Sequence, residues 1–241
     1  MKQIVIITPV PEIIDSILTN TILRQAIDRE IVEFQIVNLR DFTSGNYRQI
    51  DDAPYGGGSG MVMMAEPLLK ATDFALDQLG NDSNIRVIYP TPQGVKWTQE
   101  IALENSKVDK LIFINGHYKG IDERVKELVI THEYSIGDYV VTCGELPAMV
   151  MVDSIVRLIP GVLNSYESVL TDSLTSPLLD APYYTRPREI RGKKVPDVLF
   201  GGNHSEIQSW RKKRSEERTK IRRPDLWTKY VKEHDLDVME D

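Results

Sequence analysis

The stretch Tyr134–Gly161, YSIGDYVVTCGELPAMVMVDSIVRLIPG, decides the fold. A β-like run, Ser135–Val141, breaks at Thr142-Cys143-Gly144. The chain restarts as an apolar helix pattern from Glu145 to Leu158, with Pro147 in the first turn, where a missing N–H costs nothing. Strand, glycine turn and helix in that order present backbone N–H groups at a helix N-terminus, a binding turn that names no ligand. A packed corner without a ligand is the competing reading.

The same unit recurs upstream. Strand Ile85–Tyr89 leads to the turn Pro90–Gly94 and a helix from Trp97; strand Lys110–Ile114 leads to the turn Asn115–Gly120 and a helix from Asp122. Three such loops fall at the carboxyl edge of one parallel sheet and predict one composite pocket in an α/β fold. Gln3–Thr8 reads as a strand buried on both faces. Ile13, Ile14, Ile17 and Leu18 share a helical face, with a break expected near Thr19–Thr21, and Val32–Leu39 is a second strand.

No GxGxxG follows the first strand, which excludes a dinucleotide-type phosphate turn. The glycine-rich DDAPYGGGSGMVMM, residues 51–64, lacks the Lys-Ser/Thr ending of a P-loop. Its Gly56, Gly57, Gly58 and Gly60 permit close backbone approach, while Tyr55, Met61, Met63 and Met64 offer stacking or soft apolar contacts. A flexible connector is the alternative there.

Of the 241 residues, 41% are hydrophobic and 27% charged, which suits an ordinary globular protein of one large or two unequal domains. No apolar run reaches the roughly 20 residues of a bilayer span, and Met1-Lys2-Gln3 leads into a strand rather than a signal peptide, so a cytoplasmic protein is expected. The single Cys143 excludes an internal disulfide framework, and His117, His132, His204 and His234 lack metal-ligand spacing. No metal site is assigned. The net charge is −7, yet Arg186–Arg223 holds 13 Lys or Arg against 5 Asp or Glu. A basic block on an acidic chain is what phosphate contacts require; a solvated helix face balanced by Glu216 and Glu217 is the bland reading.

The motifs DDAPYGGGSGM, TPQG, GHYKGIDER, SIGDYVVTCGELPAM, RLIPGVL, LLDAPYYTRP, VPDVL and GNHSEIQSWR, in this order, resemble the bacterial tRNA (guanine-N1)-methyltransferase (TrmD) family over nearly the whole chain. That resemblance implies an α/β fold of the SPOUT class: a parallel sheet with a deep trefoil knot, and a small, mostly α-helical C-terminal domain. It implies a cofactor-binding domain over 1–162, a flexible linker over 163–175 and a tRNA-binding domain over 176–241. It also implies a homodimer with an active site shared between subunits, the tRNA anticodon stem-loop as partner, and neither DNA nor membrane.

Carried onto this sequence, the S-adenosylmethionine pocket would use Tyr89, Pro92, Gly94, Gly116, Tyr118, Ile136, Gly137, Tyr139, Val141, Gly144 and Pro147, releasing S-adenosylhomocysteine. Backbone groups and apolar side chains can hold adenine, and no cofactor phosphate calls for a lysine. N1 of neutral guanine carries a proton, so methylation there needs a base and a partner for the charge that spreads to O6. Asp172 matches the family's catalytic aspartate and Arg157 its arginine near the target base. Asp52, Tyr55, Gly60, Ser168, Tyr183, Arg186, Asn203, His204 and Arg211 form the implied tRNA-binding set, with Lys212, Lys213 and Arg214 as phosphate partners. Lys119 and His117 stand where many members carry glutamate and arginine; an ammonium at 119 would repel Mg2+, which disfavours a metal requirement. A knotted enzyme acting on ribose 2′-hydroxyl and a non-catalytic RNA-binding scaffold are the alternatives.

Overall fold

The computed structural model describes residues 1–45, 47–80, 84–163 and 172–234, and the chain forms two compact units, Met1–Asn164 and Ser165–Asp241. In the first run β1 (Lys2–Thr8), α1 (Pro11–Leu18), α2 (Ile22–Asp28), β2 (Val32–Asn38), β3 (Asp51–Asp52), β4 (Val62–Met63) and α3 (Ala65–Gln78). They are followed by β5 (Arg86–Lys96), α4 (Gln99–Ser106), β6 (Lys110–Ile114), α5 (Glu123–Val129), β7 (His132–Ser135) and α6 (Glu145–Val156).

Five parallel strands pair in the order β2-β1-β6-β5-β7. The unbroken apolar runs of β1 and β6 follow from burial on both faces. Ile4, Ile6, Leu111 and Phe113 pack on one side with Ile14, Leu23, Met151 and Val152, whereas Val5, Ile7, Ile112 and Ile114 pack on the other with Leu68, Ala71 and Val125. Phe113 is fully buried at the centre, where truncation to alanine costs about 3–5 kcal/mol. The expected break after α1 is built from side chains: Thr19 Oγ1, Asn20 Nδ2 and Thr21 Oγ1 donate to the carbonyls of Asp15, Ser16 and Ile17 at 2.8, 3.0 and 3.0 Å. Thr21 Oγ1 then accepts from Leu23 N–H and caps α2.

Two sequence expectations are corrected near the opening stretch. The strand expected over Ser135–Val141 is instead β7, His132–Ser135, followed by a loop to Gly144. Gly137 adopts φ +145° and Tyr139 N–H donates to the Gly137 carbonyl at 2.9 Å, which turns the chain off the sheet. The turn Pro90–Gly94 lies inside β5 rather than after it. Both Pro90 and Val95 register with Tyr134, so the four residues between them loop out and the strand resumes to Lys96. The following helix accordingly starts at Gln99, capped by Thr98, and not at Trp97.

The second unit contains the hairpin β8 (Glu189–Ile190) and β9 (Lys193–Lys194), then α7 (His204–Arg222) and α8 (Pro224–Glu233). Residues 173–181 are tied to α7. Leu179 N–H donates to Thr219 Oγ1 at 2.8 Å, Arg218 Nη1 donates to the Asp180 carbonyl at 3.1 Å, and Ser215 Oγ donates to the Leu179 carbonyl. Of the expected linker 163–175, residues 164–171 lie outside the described residues, while Thr175 N–H donates to the Asp172 carbonyl at 3.3 Å.

Candidate functional site

The loop within β5, the loop after β6 and the loop after β7 enclose a cavity of about 390 Å³ in the first unit. That volume lies within the range of small-molecule pockets. Tyr89, Pro92, Gly116, Tyr118, Ile136, Gly137, Tyr139, Val141, Gly144 and Pro147 all line it. Gly94 does not. A Cβ at Gly94 would stand 2.4 Å from Glu133 C and Tyr134 N, so glycine there lets the loop within β5 cross β7. Asp52, Tyr55 and Gly60 do not line the cavity either.

Two other glycines bring the loops together. Gly144 has an ordinary φ, but its N–H donates to the Gly116 carbonyl at 2.8 Å, and a Cβ on it would meet Gly116 N at 2.6 Å. A Cβ on Gly116 would lie 2.8 Å from Tyr89 Oη. Tyr89 is a buried wall of the cavity. Burial first, then the Glu133 charge, push its phenol up to about 12, and Lys126 Nζ lies 5.9 Å from its ring centroid.

The N-terminus of α6 already holds an anion of its own chain. Gly144 N–H is spent on Gly116, and the fully buried Glu145 carboxylate occupies the first turn, where the helix dipole favours it. Glu145 accepts from Thr8 Oγ1 at 2.6 Å and lies 2.9 and 2.8 Å from His117 Nε2. Burial alone would raise its pKa, but the bonds from His117 and Thr8 outweigh it and hold the carboxyl below its usual range. Burial of Cys143, which also lines the cavity, pushes its thiol up, so it is a poor nucleophile. The sequence reading had no role for Glu145; the available signal was a lone acid opening an otherwise apolar helix.

The second loop carries further marks of a built site. Tyr118 holds φ +58°, and both polar atoms of the buried Asn115 carboxamide have no hydrogen-bond partner among the described residues. Such costs collect where ligands bind. The glycine-rich segment folds back on this loop: Lys119 N–H donates to the Met61 carbonyl at 3.1 Å and His117 N–H to Met63 Sδ at 3.0 Å. Met63 is core, not connector, whereas Tyr55 is fully exposed at the tip. Gly60, with φ +93°, lies under the Lys119 side chain, and Asp52 Oδ1 accepts from Ala53 N–H at 2.7 Å.

Arg157 caps the far end of α6, ten residues beyond Pro147, about 15 Å along the axis, and does not line the cavity. Burial raises the pKa of Asp153, one turn before it, and the Arg157 charge opposes that rise. Asp172 belongs to the second unit, where its charge adds to the burial that raises Asp180. Ser168 lies outside the described residues. Asn203 proves to be the N-cap of α7, its Oδ1 accepting from Ser205 and Glu206 N–H at 3.2 and 3.4 Å, and His204 is the exposed first residue of that helix. Tyr183, Arg186 and Arg211 line a separate concavity in the second unit, and Lys212, Lys213 and Arg214 are exposed on α7. No cluster of three or more His, Cys, Asp or Glu able to hold a metal occurs among the described residues, and none of their helices is long and apolar enough to cross a membrane.

Glycine backbone and apolar side chains, with Gln93, His117, Lys119, Glu123 and Lys126 as the polar part of the lining, fit an adenosyl ligand. The family model described as tRNA (Guanine-1)-methyltransferase TrmD matches residues 1–229. A Brevibacillus brevis protein is 49% identical over 227 residues, covering 94% of this chain and 92% of that protein. A Staphylococcus carnosus protein is 48% identical over 224 residues, covering 93% and 90%. Both are named tRNA (guanine-N(1)-)-methyltransferase. On these matches and the cavity they share a chain with, the protein belongs to the tRNA (guanine-1)-methyltransferase TrmD family.

Proposed function

We propose that this chain methylates N1 of the guanosine immediately 3′ of the anticodon in tRNA, in the cytoplasm, with S-adenosylmethionine as methyl donor. The observation that carries the reading is the cavity closed by three loops through Gly144 and Gly116, which offers backbone groups and apolar walls. Bound in it, S-adenosylmethionine supplies an electrophilic methyl group and leaves as S-adenosylhomocysteine. Asp172 takes the N1 proton, freeing the nitrogen lone pair to form the new C–N bond as the S–C bond breaks toward sulfur. Arg157 stabilises the negative charge that spreads to O6. The catalytic unit is 1–162 and the tRNA-binding unit 176–241, joined by a linker over 163–175 that carries Ser168.

A homodimer with a shared active site accounts for Arg157, which sits about 15 Å from its own cavity along α6. Exposed Leu146 and Val150, one turn apart on α6, with exposed Val140, provide apolar surface for the partner. Asp52, Tyr55 and Gly60 contact the anticodon loop from the catalytic unit; Tyr183, Arg186, Asn203, His204 and Arg211 contact it from the second. A Mg2+ requirement is disfavoured, because Lys119, a cationic residue, is among those lining the cavity.

The test is transfer of radiolabel from S-adenosylmethionine into tRNA transcripts carrying G or A just 3′ of the anticodon, by the wild type and Asp172→Asn. Label is expected in the G transcript alone. Asp172→Asn should lose about 10²–10⁴-fold in rate. Equal labelling of the A transcript, or a full rate in Asp172→Asn, would remove the proposal.

A further inference from the structure

The C-terminal unit encloses a concavity of about 370 Å³ within its own residues. Its floor is apolar, with Val195, Leu199 and Ile207, and its rim carries Arg186, Arg188 and Arg211. Among the described residues no Asp or Glu lines it. Ile207 and Arg211 stand one turn apart on α7, so helix geometry alone puts both on this side. The Arg188 guanidinium lies over the Phe200 ring, its Cζ 4.0 Å from the centroid. Glu189, the neighbouring acid, pairs with Lys194 at 3.8 Å. None of the three arginines makes an ion pair with another described residue. Tyr183, at the mouth, is 68% exposed.

A phosphate alone needs cations and no apolar floor. A peptide helix needs a longer apolar groove than three small side chains provide. Flat aromatic faces, planar guanidinium groups and a short apolar floor together suit one unstacked nucleobase, its π-faces covered and its phosphates at the rim. We infer that this concavity is a receptor for a single extruded tRNA nucleotide other than the methylated guanosine, with Phe200 and Tyr183 supplying the stacking faces and Arg186 and Arg211 the phosphate contacts. The inference rests on the tRNA-methyltransferase reading. The target guanosine is excluded because its N1 must face the methyl donor.

The full chain is tested with full-length tRNA assembled from two pieces, in which each unpaired anticodon-loop nucleotide other than the target is made abasic in turn. Binding is measured for the wild type, Phe200→Ala and the conservative Phe200→Tyr. One abasic position should weaken wild-type binding about tenfold, Phe200→Ala should weaken intact tRNA by about the same factor, and the two losses should not add. Phe200→Tyr should restore affinity. Phe200→Ala should leave the salt dependence of binding unchanged, whereas Arg211→Ala should lower its slope by about one.

If no abasic position couples to Phe200→Ala, or if AMP or GMP saturates the concavity while every RNA position stays uncoupled, the inference is overturned. A Phe200→Ala protein that loses helical circular dichroism relative to the wild type is misfolded in the second unit, and the same cycle run with Tyr183→Ala then decides. Absence of methyl transfer to wild-type tRNA would instead strike the underlying reading, a separate outcome.

Discussion

The Glu145 carboxylate meets His117 Nε2 at 2.8 Å beneath the cavity, joining the helix that follows the third loop to the second loop, 28 positions earlier in the chain. Thr8, at the end of β1, donates to the same carboxylate at 2.6 Å. Three elements therefore converge on one buried charge. Glu145 is depressed in the fold, so its contribution to stability is fully present above the unfolded glutamate pKa of about 4.3 and is lost as pH falls through the folded value. Glu145→Gln should cost about 1–3 kcal/mol in urea unfolding at pH 7.5. The gap from wild type should narrow below pH 4, and a gap independent of pH would argue against the buried carboxylate.

Gly144→Ala should be harsher than its ordinary φ suggests, because the new Cβ meets the Gly116 backbone at 2.6 Å and backbone cannot swing away. About 1–3 kcal/mol of stability and most cofactor affinity should be lost, read by unfolding and calorimetric titration. Gly116→Ala meets the buried Tyr89 ring instead, a side chain rather than backbone. It should cost less stability than Gly144→Ala while weakening S-adenosylmethionine about tenfold or more, one decade being 1.4 kcal/mol.

Co-expressed Arg157→Ala and Gly116→Ala chains test the shared site. Each homodimer lacks a component of both sites, whereas a mixed dimer regains one intact site and should recover about half the wild-type rate per dimer. Activity no higher than the sum of the homodimers would show that each subunit works alone.

Chelation tests Lys119. With spermidine keeping tRNA folded, EDTA should leave the wild-type rate within about twofold, since a cation beside that ammonium is repelled. A complete loss restored by Mg2+ would reverse this expectation.

The sheet was legible because Ile4, Val5, Ile6 and Ile7 feed alternate cores, and only burial on both faces tolerates such a run. The pocket was legible because its turns, Pro90–Gly94, Asn115–Gly120 and Thr142–Gly144, carry glycines that can be read locally, although only β6 ends where the sequence places it. What escaped was non-local. The packing of Gly94 against Glu133 joins two distant segments, and no neighbour of Gly94 in the sequence announces it. The pairing of His117 with Glu145 could not be read from either neighbourhood, because it depends on two loops meeting. The end of β7 at Ser135 escaped for the opposite reason: Val140 and Val141 look like strand, yet Gly137 has already turned the chain away.

The Gly144–Gly116 hydrogen bond also bears on how the protein is made. A nascent chain that has emerged only as far as α5 holds two of the three walls and has nothing to clasp the donor. The pocket is completed only when the start of α6 leaves the ribosome and docks on a loop already formed. S-adenosylmethionine therefore has no part in early folding. It acts as a late fastener of the first unit, adding stability as RT ln(1 + [L]/Kd) to chains in which β7 and the start of α6 are already in place.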